Sequence, residues 1–418
     1  MKKNKKQSSY FNIENKINFD NTIIEASLKA KKAIESGVQN VYNATIGSLM
    51  DEKNNFFVFK SVFDLYNKKI SDQIKASYCP NIDGGIDFSN VTKKWLFKDN
   101  IFLIENSLVC ASPGGSGSLS SVIKKVLDEN TVVLIPDYTW EPIELMCNQS
   151  KVKIINFKMF NDNNMFYLDD LLNKIDYLTQ KYKKIALYLN DPIHNPTSFS
   201  MSNYHWKQIV LKLNSYLNNE FVIINDVAYI EFSLDSDNTY LKEFKNIKNN
   251  SLIVFCISYS KSLTFYGLRL GATVVYHNDK NVVKNIHDLL VVHARANWSN
   301  SNHGAIETVV ELDKKNDTYL IEKQNMISTL KKRFDNFKNE SKKIGLDFLE
   351  TSIGFFITIP LNENIINKYI EILNNKNVFV VPLKNGIRVG VCSLNIQQCK
   401  KLPNILKTAL MEVKENER

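Results

Sequence analysis

Ser258 to Gly271, SYSKSLTFYGLRLG, directly follows the apolar run Leu252 to Ile257, LIVFCI, and this junction decides how the chain is read. Six consecutive apolar residues predict a strand buried on both faces, as in a parallel sheet covered by helices. Ser258, Tyr259, Ser260 and Lys261 then emerge at its C-terminal end, where open α/β sheets place their ligands. Arg269 follows eight residues after Lys261, between Gly267 and Gly271, and glycines let backbone approach a ligand closely. Two cations in a glycine-punctuated loop predict an anion. A lysine in a desolvated pocket can also lose its proton, and Schiff-base chemistry needs that, because only the neutral amine attacks a carbonyl. An ordinary solvated loop is the competing reading of this stretch taken alone.

The same pattern, an apolar strand ending in a polar cluster, recurs upstream. Ala111 to Leu119, ASPGGSGSL, runs into a helical pattern with Leu119, Val122, Ile123, Val126 and Leu127 at i, i+3, i+4 spacing. Free N–H groups and the positive end of the helix dipole make such a start an anion site, here including Gly115 and Ser116. It lacks the GKS or GKT ending of a P-loop. Thr131 to Pro136, TVVLIP, is a short strand that delivers Trp140, a ring able to stack on a flat cofactor or to pack in the core. Lys184 to Leu189, KIALYL, leads into NDPIHNPTS, whose two prolines predict an extended loop around Asn195. Phe221 to Asn225, FVIIN, ends at Asp226 with Tyr229 three residues later, an acid that could face a ring nitrogen and keep it protonated. Strand, cluster and helix in repetition predict an α/β fold with a mainly parallel sheet and one ligand-binding edge.

Elsewhere the signals are weaker. Ile17 to Ser36 predicts an arm and a helix, VYNATIGSL places Gly47 in a turn, and SYCPNIDGGIDF is a loop carrying Tyr78. A long charged helical pattern covers Tyr319 to Lys343, followed by strands at Phe355 to Ile359, Val378 to Val381 and Gly386 to Cys392, and by a helix from Ile396 to Val413. Arg388 sits inside the strand pattern GIRVGVC, and a buried arginine requires a carboxylate from the protein or a substrate. The expected division is 1–60 as arm and part of a smaller domain, 61–325 as a large domain, and 326–418 as the smaller α/β domain.

With 418 residues, 44% hydrophobic and 23% charged, the composition is that of a globular protein large enough for two domains. The net charge of +9 is spread along the chain; its one cluster, Lys2 to Lys6, is expected to be solvated, so no nucleic-acid partner is predicted. The surplus positive charge favours anionic substrates and a phosphorylated cofactor. The start, MKKNKKQSSYFNIEN, has no apolar run after its basic residues, and no stretch approaches the length of a membrane span, so a cytoplasmic location is expected. Six scattered cysteines without C-x-x-C spacing predict buried thiols rather than a zinc site or disulfide framework.

Taken together and in order, PGGSGSL, the Trp140 loop, HNPTS, DVAY, SYSKSLTFYGLRLG, ARANWSN and GIRVGV resemble the fold-type I pyridoxal-phosphate aminotransferases, in their aspartate and aromatic amino acid branch, over nearly the whole chain. The resemblance implies pyridoxal 5'-phosphate as cofactor, joined to Lys261 as a Schiff base. Asp226 would pair with the ring nitrogen, Tyr229 and Asn195 would bond the ring hydroxyl, and Trp140 would stack on the ring. Gly115, Ser116, Ser258 and Arg269 would hold the phosphate, joined by Tyr78 from the other subunit of a homodimer. Arg388, helped by Gly47, would clamp the substrate α-carboxylate, and Arg295 would reach across the dimer to a side-chain carboxylate. The implied reaction moves an amino group between an L-amino acid and a 2-oxo acid in a ping-pong cycle, with Lys261 transferring the α-proton.

Two departures stand out. The loop reads HNPTS where the family has HNPTG, putting Ser198 in place of a glycine. Histidines that the aspartate enzymes carry after Trp140 and at the position of Asn190 are missing, which weakens the expectation of a strict aspartate specialist. A lyase or synthase on the same scaffold would share the cofactor residues. A non-enzymatic regulator would need an added DNA-binding domain, for which the motifs, starting by Gly47, leave no room.

Overall fold

The computed structural model describes residues 22–415; the Lys2 to Lys6 run and the start of the expected arm at Ile17 lie outside them. At its centre is a seven-stranded sheet formed by β1 (Ser107–Ser112), β2 (Thr131–Pro136), β3 (Lys153–Phe157), β4 (Lys184–Asn190), β5 (Glu220–Asp226), β6 (Ser251–Ser258) and β7 (Gly271–Tyr276), in the order β1-β7-β6-β5-β4-β2-β3. β6, β5, β4, β2 and β3 pair in parallel, while β7 runs antiparallel to both of its neighbours. The sheet is buried on both faces, which is why its central strands read as continuous apolar runs. Val132, Leu134, Ile223, Ile253 and Phe255 enter one core layer, and Val133, Ile135, Ile224, Val254 and Cys256 enter the other, the alternation that a pleated strand imposes.

The second layer is covered by α2 (Gly114–Lys125) and α3 (Lys280–Asn297), which follow α1 (Thr22–Glu35) in the chain; Leu119, Val122 and Ile123 of α2 and Leu290 and Ala294 of α3 pack there. A separate core joins Tyr42 and Ala44 to residues from Phe334 to Val413. It is built around α4 (Asp317–Ile344), the three-stranded antiparallel sheet of β8 (Ile357–Pro360), β9 (Val381–Leu383) and β10 (Gly386–Val389), and α5 (Ile396–Glu415). α4 passes unbroken through residue 325, so it belongs to both cores: Met326 and Leu330 pack in the first, Phe334 and Phe337 in the second. The expected strand from Val378 to Val381 is split: Val378–Phe379 pairs in parallel with Tyr42–Asn43, and Val381 begins β9. Phe355 and Phe356 precede β8, and the pattern after Val389 turns into a 3₁₀ helix, Val391–Ser393. All six cysteines are free and buried. Among the described residues, no helix is long and apolar enough to cross a membrane.

Candidate active site

The C-terminal ends of β1, β2, β4, β5 and β6 point to one edge of the sheet, and a cavity of about 550 Å³ opens there. Its wall includes Gly115, Ser116, Trp140, Asn195, Asp226 and Tyr229 from the large sheet's loops. Ser258, Lys261 and Arg269 complete that side, and Gly47, Phe356 and Arg388 also line the cavity, Arg388 from β10. Ile24, Ser27 and Leu28 of α1 also line the cavity. Arg269 arrives at this edge because β7 is antiparallel: Gly271, its first residue, pairs with Ser258 and Ser112, the last residues of β6 and β1. Gly271 is obligatory there, since a Cβ would lie 2.4 Å from the Gly114 carbonyl carbon.

Lys261 Nζ donates to Gly47 O and lies 5.5 Å from the centre of the Tyr229 ring. Burial pulls its amine down to about 8; Arg388 and Arg269 push the same way, while Cys392 and Asp226 oppose. The neutral amine is therefore accessible near neutral pH. Asp226 accepts from the Tyr188 hydroxyl at 3.0 Å and from the Ala228 N–H at 3.2 Å. Burial raises its carboxyl to about 6, because these contacts and the Lys261 charge only partly offset desolvation. A buried carboxylate facing a cavity with only neutral donors on it suits a cationic N–H, such as a protonated ring nitrogen. Burial likewise raises the Tyr229 phenol, against the pull of Arg388.

The anion cradle forms where α2 begins. Gly114 has φ +75, and a Cβ there would lie 2.3 Å from Arg269 Nη2; a Cβ on Gly115 would come within 3.0 Å of Ser258 Cβ. The two glycines thus let a guanidinium and a hydroxyl close on the N–H groups of a helix N-terminus, an arrangement fitted to a phosphate. Arg269 is braced by Nη1 bonds to Ser260 Oγ and Tyr266 O, both 3.0 Å.

Across the cavity, Arg388 is buried at 6% exposure, its charge disfavoured by desolvation. Nη1 donates to Asn195 Oδ1 at 3.1 Å and Nη2 to Thr45 O at 3.0 Å, while Nε has no partner. The Phe356 ring lies 4.3 Å from Arg388 Cζ. No carboxylate of the chain bonds the guanidinium among the described residues, so an incoming one would complete it.

Two expected residues are not in this cavity. Tyr78 is 81% exposed, and Arg295, near the end of α3, is exposed and donates to Ser299 Oγ at 2.7 Å. The loop after β4 also corrects an expectation: it is not extended but turned. Ile193 and Ser198 have positive φ, and Ser198 N–H donates to His194 O across the turn. Both X-Pro bonds of the loop, Asp191–Pro192 and Asn195–Pro196, are cis, a geometry of turns and not of extended chain. Residues that sequence reasoning missed include Tyr188, Asn190, Tyr266 and Phe356. Asn190 Nδ2 donates to Asp226 O and its Oδ1 accepts from Asn195 N–H, tying the acid to the arginine's partner. The phenol of Tyr188 within an apolar strand was a usable signal, since a buried hydroxyl needs a partner.

A mainly parallel sheet carrying a lysine, a buried acid and a glycine-lined anion cradle at one edge defines the pyridoxal-phosphate-dependent enzymes of fold type I. Within that class the chain belongs to the aminotransferase class I and II family, whose profile matches residues 40–406. It is similar to the cytoplasmic aspartate aminotransferase of Dictyostelium discoideum, 24% identical over 359 residues, covering 82% of this chain and 80% of that one. It is also similar to the aspartate aminotransferase of Escherichia coli, 25% identical over 282 residues, covering 65% and 69%. An aminotransferase structure from Anaerococcus prevotii superposes with a TM-score of 0.89 at 29% identity, covering 97% of this chain and 99% of that one. The aromatic-amino-acid aminotransferase of Burkholderia pseudomallei, covalently bound to pyridoxal phosphate, shares the fold with a TM-score of 0.77 at 20% identity, covering 92% and 96%. The chain is a transaminase working with pyridoxal 5'-phosphate, and family membership favours this over a lyase or synthase on the same scaffold.

Proposed function

We propose that this transaminase moves the amino group of an L-amino acid, dicarboxylic or aromatic, to a 2-oxo acid such as 2-oxoglutarate. The observation that carries the reading is one cavity holding an amine lowered to about 8 at Lys261, a buried acid at Asp226 and an incompletely bonded guanidinium at Arg388. Pyridoxal phosphate, when bound, supplies an electrophilic carbonyl carbon and a ring that withdraws electrons from the substrate's Cα. Lys261 is the residue that would join it covalently. Gly115, Ser116, Ser258 and Arg269 would hold its phosphate, Trp140 would cover its ring, and Tyr229 with Asn195 would bond the ring hydroxyl. Asp226 would hold a proton at the ring nitrogen.

Arg388, with Gly47 beside it, binds the α-carboxylate and thereby aims the Cα–H bond at Lys261. Lys261 Nζ, in its neutral form, accepts the Cα proton and returns it as the ammonium. Burial of the amine serves this step, because a lysine at its ordinary value would be almost wholly protonated at neutral pH.

Tyr78 and Arg295 lie outside the cavity of their own chain, as residues given to a neighbour's site would, and this supports a homodimer with shared sites. Tyr78 then joins the phosphate cradle and Arg295 reads a side-chain carboxylate. We assign 61–325 to the cofactor-binding domain and 326–418, with part of 1–60, to the smaller domain; Tyr42 and Ala44 in the second core support this, and α4 is shared across the boundary. A cytoplasmic location agrees with the designation of the Dictyostelium relative.

The test is a panel of L-amino acids with 2-oxoglutarate, following interconversion of the aldehyde and amine forms of the cofactor by absorbance. Conversion by aspartate or an aromatic amino acid, reversed by the oxo acid, is expected. Turnover that needs no oxo acid would overturn the reading in favour of a lyase.

A further inference from the structure

Ser198 occupies a position built for glycine. Its φ of +57 lies in the left-handed region that side chains avoid, and it is buried at 1% exposure. The serine fits only because of a second glycine: a Cβ on Gly354 would lie 2.0 Å from Ser198 Oγ and 2.2 Å from Ser198 Cβ. The two positions are matched in space. What fills the gap is a hydroxyl that donates to Phe356 O at 2.7 Å and accepts from Phe356 N–H at 3.1 Å. A second tie joins the same turn to β8, where Thr358 Oγ1 donates to Pro196 O at 2.9 Å.

Phe356 is the residue whose ring lies 4.3 Å from Arg388 Cζ, and it is also the nearest neighbour of Gly47, whose Cβ would lie 3.2 Å from the ring. Asn195, which accepts from Arg388 Nη1 at 3.1 Å, lies three residues before Ser198 on the same turn. One turn therefore reaches the guanidinium by two routes, directly through the Asn195 amide and indirectly through the backbone of Phe356. We propose that Ser198 is a positioning residue for substrate recognition: its hydroxyl clamps Phe356 so that ring and amide together aim Arg388 at the incoming carboxylate. This rests on the reading of Arg388 as the carboxylate clamp. The guanidinium is retained when Ser198 is replaced, so a bound carboxylate still aims the Cα–H bond, and what weakens is its capture more than the chemistry that follows.

The experiment compares holoenzymes of the native protein, Ser198→Ala, Ser198→Gly and Arg388→Lys, measuring kcat and KM for the amino donor that the native enzyme uses best. Ser198→Gly removes the hydroxyl while relieving the left-handed backbone, so it separates lost positioning from lost stability. Both Ser198 variants are expected to raise KM at least about fivefold, the size of one lost hydrogen bond, with kcat within about twofold and cofactor absorbance unchanged. An unchanged KM in Ser198→Gly, or a fall in kcat as large as the rise in KM, overturns the positioning role if Arg388→Lys still raises KM. An unchanged KM in Arg388→Lys overturns the carboxylate reading itself, and the proposal with it.

Discussion

Replacing Asp226 with asparagine should stabilise the cofactor-free protein while disabling the enzyme. Burial lifts the Asp226 carboxyl from 3.8 to about 6, so ionising it in the folded chain costs about 3 kcal/mol at 1.36 kcal/mol per tenfold. The sign follows from proton counts. Between these two values the folded state holds a proton that the unfolded state has released, so stability falls as pH rises through the window and levels off above it. An asparagine is neutral throughout, nearly the same shape, and its amide can still bond the Tyr188 hydroxyl that Asp226 uses at 3.0 Å. The variant is expected to exceed the native protein by about 3 kcal/mol at pH 8 and by roughly half as much at pH 5, read by equilibrium urea denaturation of both cofactor-free proteins. With cofactor added, kcat should fall far more than cofactor affinity, since the ring nitrogen loses the acid that keeps it protonated. A stability difference that does not change between pH 5 and pH 8 would refute the reasoning, because it would mean that Asp226 does not carry a burial cost.

Lys261 should react with an amine-directed acylating reagent in the cofactor-free protein along a titration centred near pH 8, rising with pH as the neutral amine appears, with peptide mapping to identify the site. A midpoint near that of surface lysines would remove the argument from burial. Arg295→Ala should lower kcat/KM for dicarboxylic substrates at least about tenfold, roughly 1.4 kcal/mol, while phenylalanine changes much less. Equal losses on both would mean that Arg295 supports the fold or the dimer. Mixing Lys261→Ala with Arg295→Ala protein should restore activity toward dicarboxylic substrates, since one of the two heterodimer sites then has both native residues, and a failure of subunit-exchanged protein to recover would argue against shared sites.

The central strands of the sheet were legible because burial on both faces leaves an uninterrupted apolar run, and three of them end at residues that line the cavity: Asn190 in β4, Asp226 in β5 and Ser258 in β6. Partners across strands were not. Asn190 stands opposite Asp226 in the register of β4 and β5, a pairing that exists only once the strands are side by side. Phe356 was hidden for a related reason: it reads as part of an apolar strand, and its meaning comes from Ser198 and Arg388, which lie far from it in the chain. The prolines around Asn195 misled because the sequence does not show the isomer of an X-Pro bond: both are cis here, and Ile193 and Ser198 add positive φ to the turn. For Tyr78 and Arg295 a single chain supplies no pairing to read, whatever its sequence.

The reversed direction of β7 has a mechanical consequence. Because Ser258 and Gly271 face each other across β6 and β7, Lys261 and Arg269 occupy one short loop whose two ends are stitched together by sheet hydrogen bonds. Lys261 and Arg269, the proposed attachment point and phosphate anchor, therefore move as a single unit with the floor of the site, whereas Arg388 is carried by β10 of the other sheet. Any relative motion of the two cores would change the distance from substrate carboxylate to amine while leaving the seat of the cofactor undisturbed.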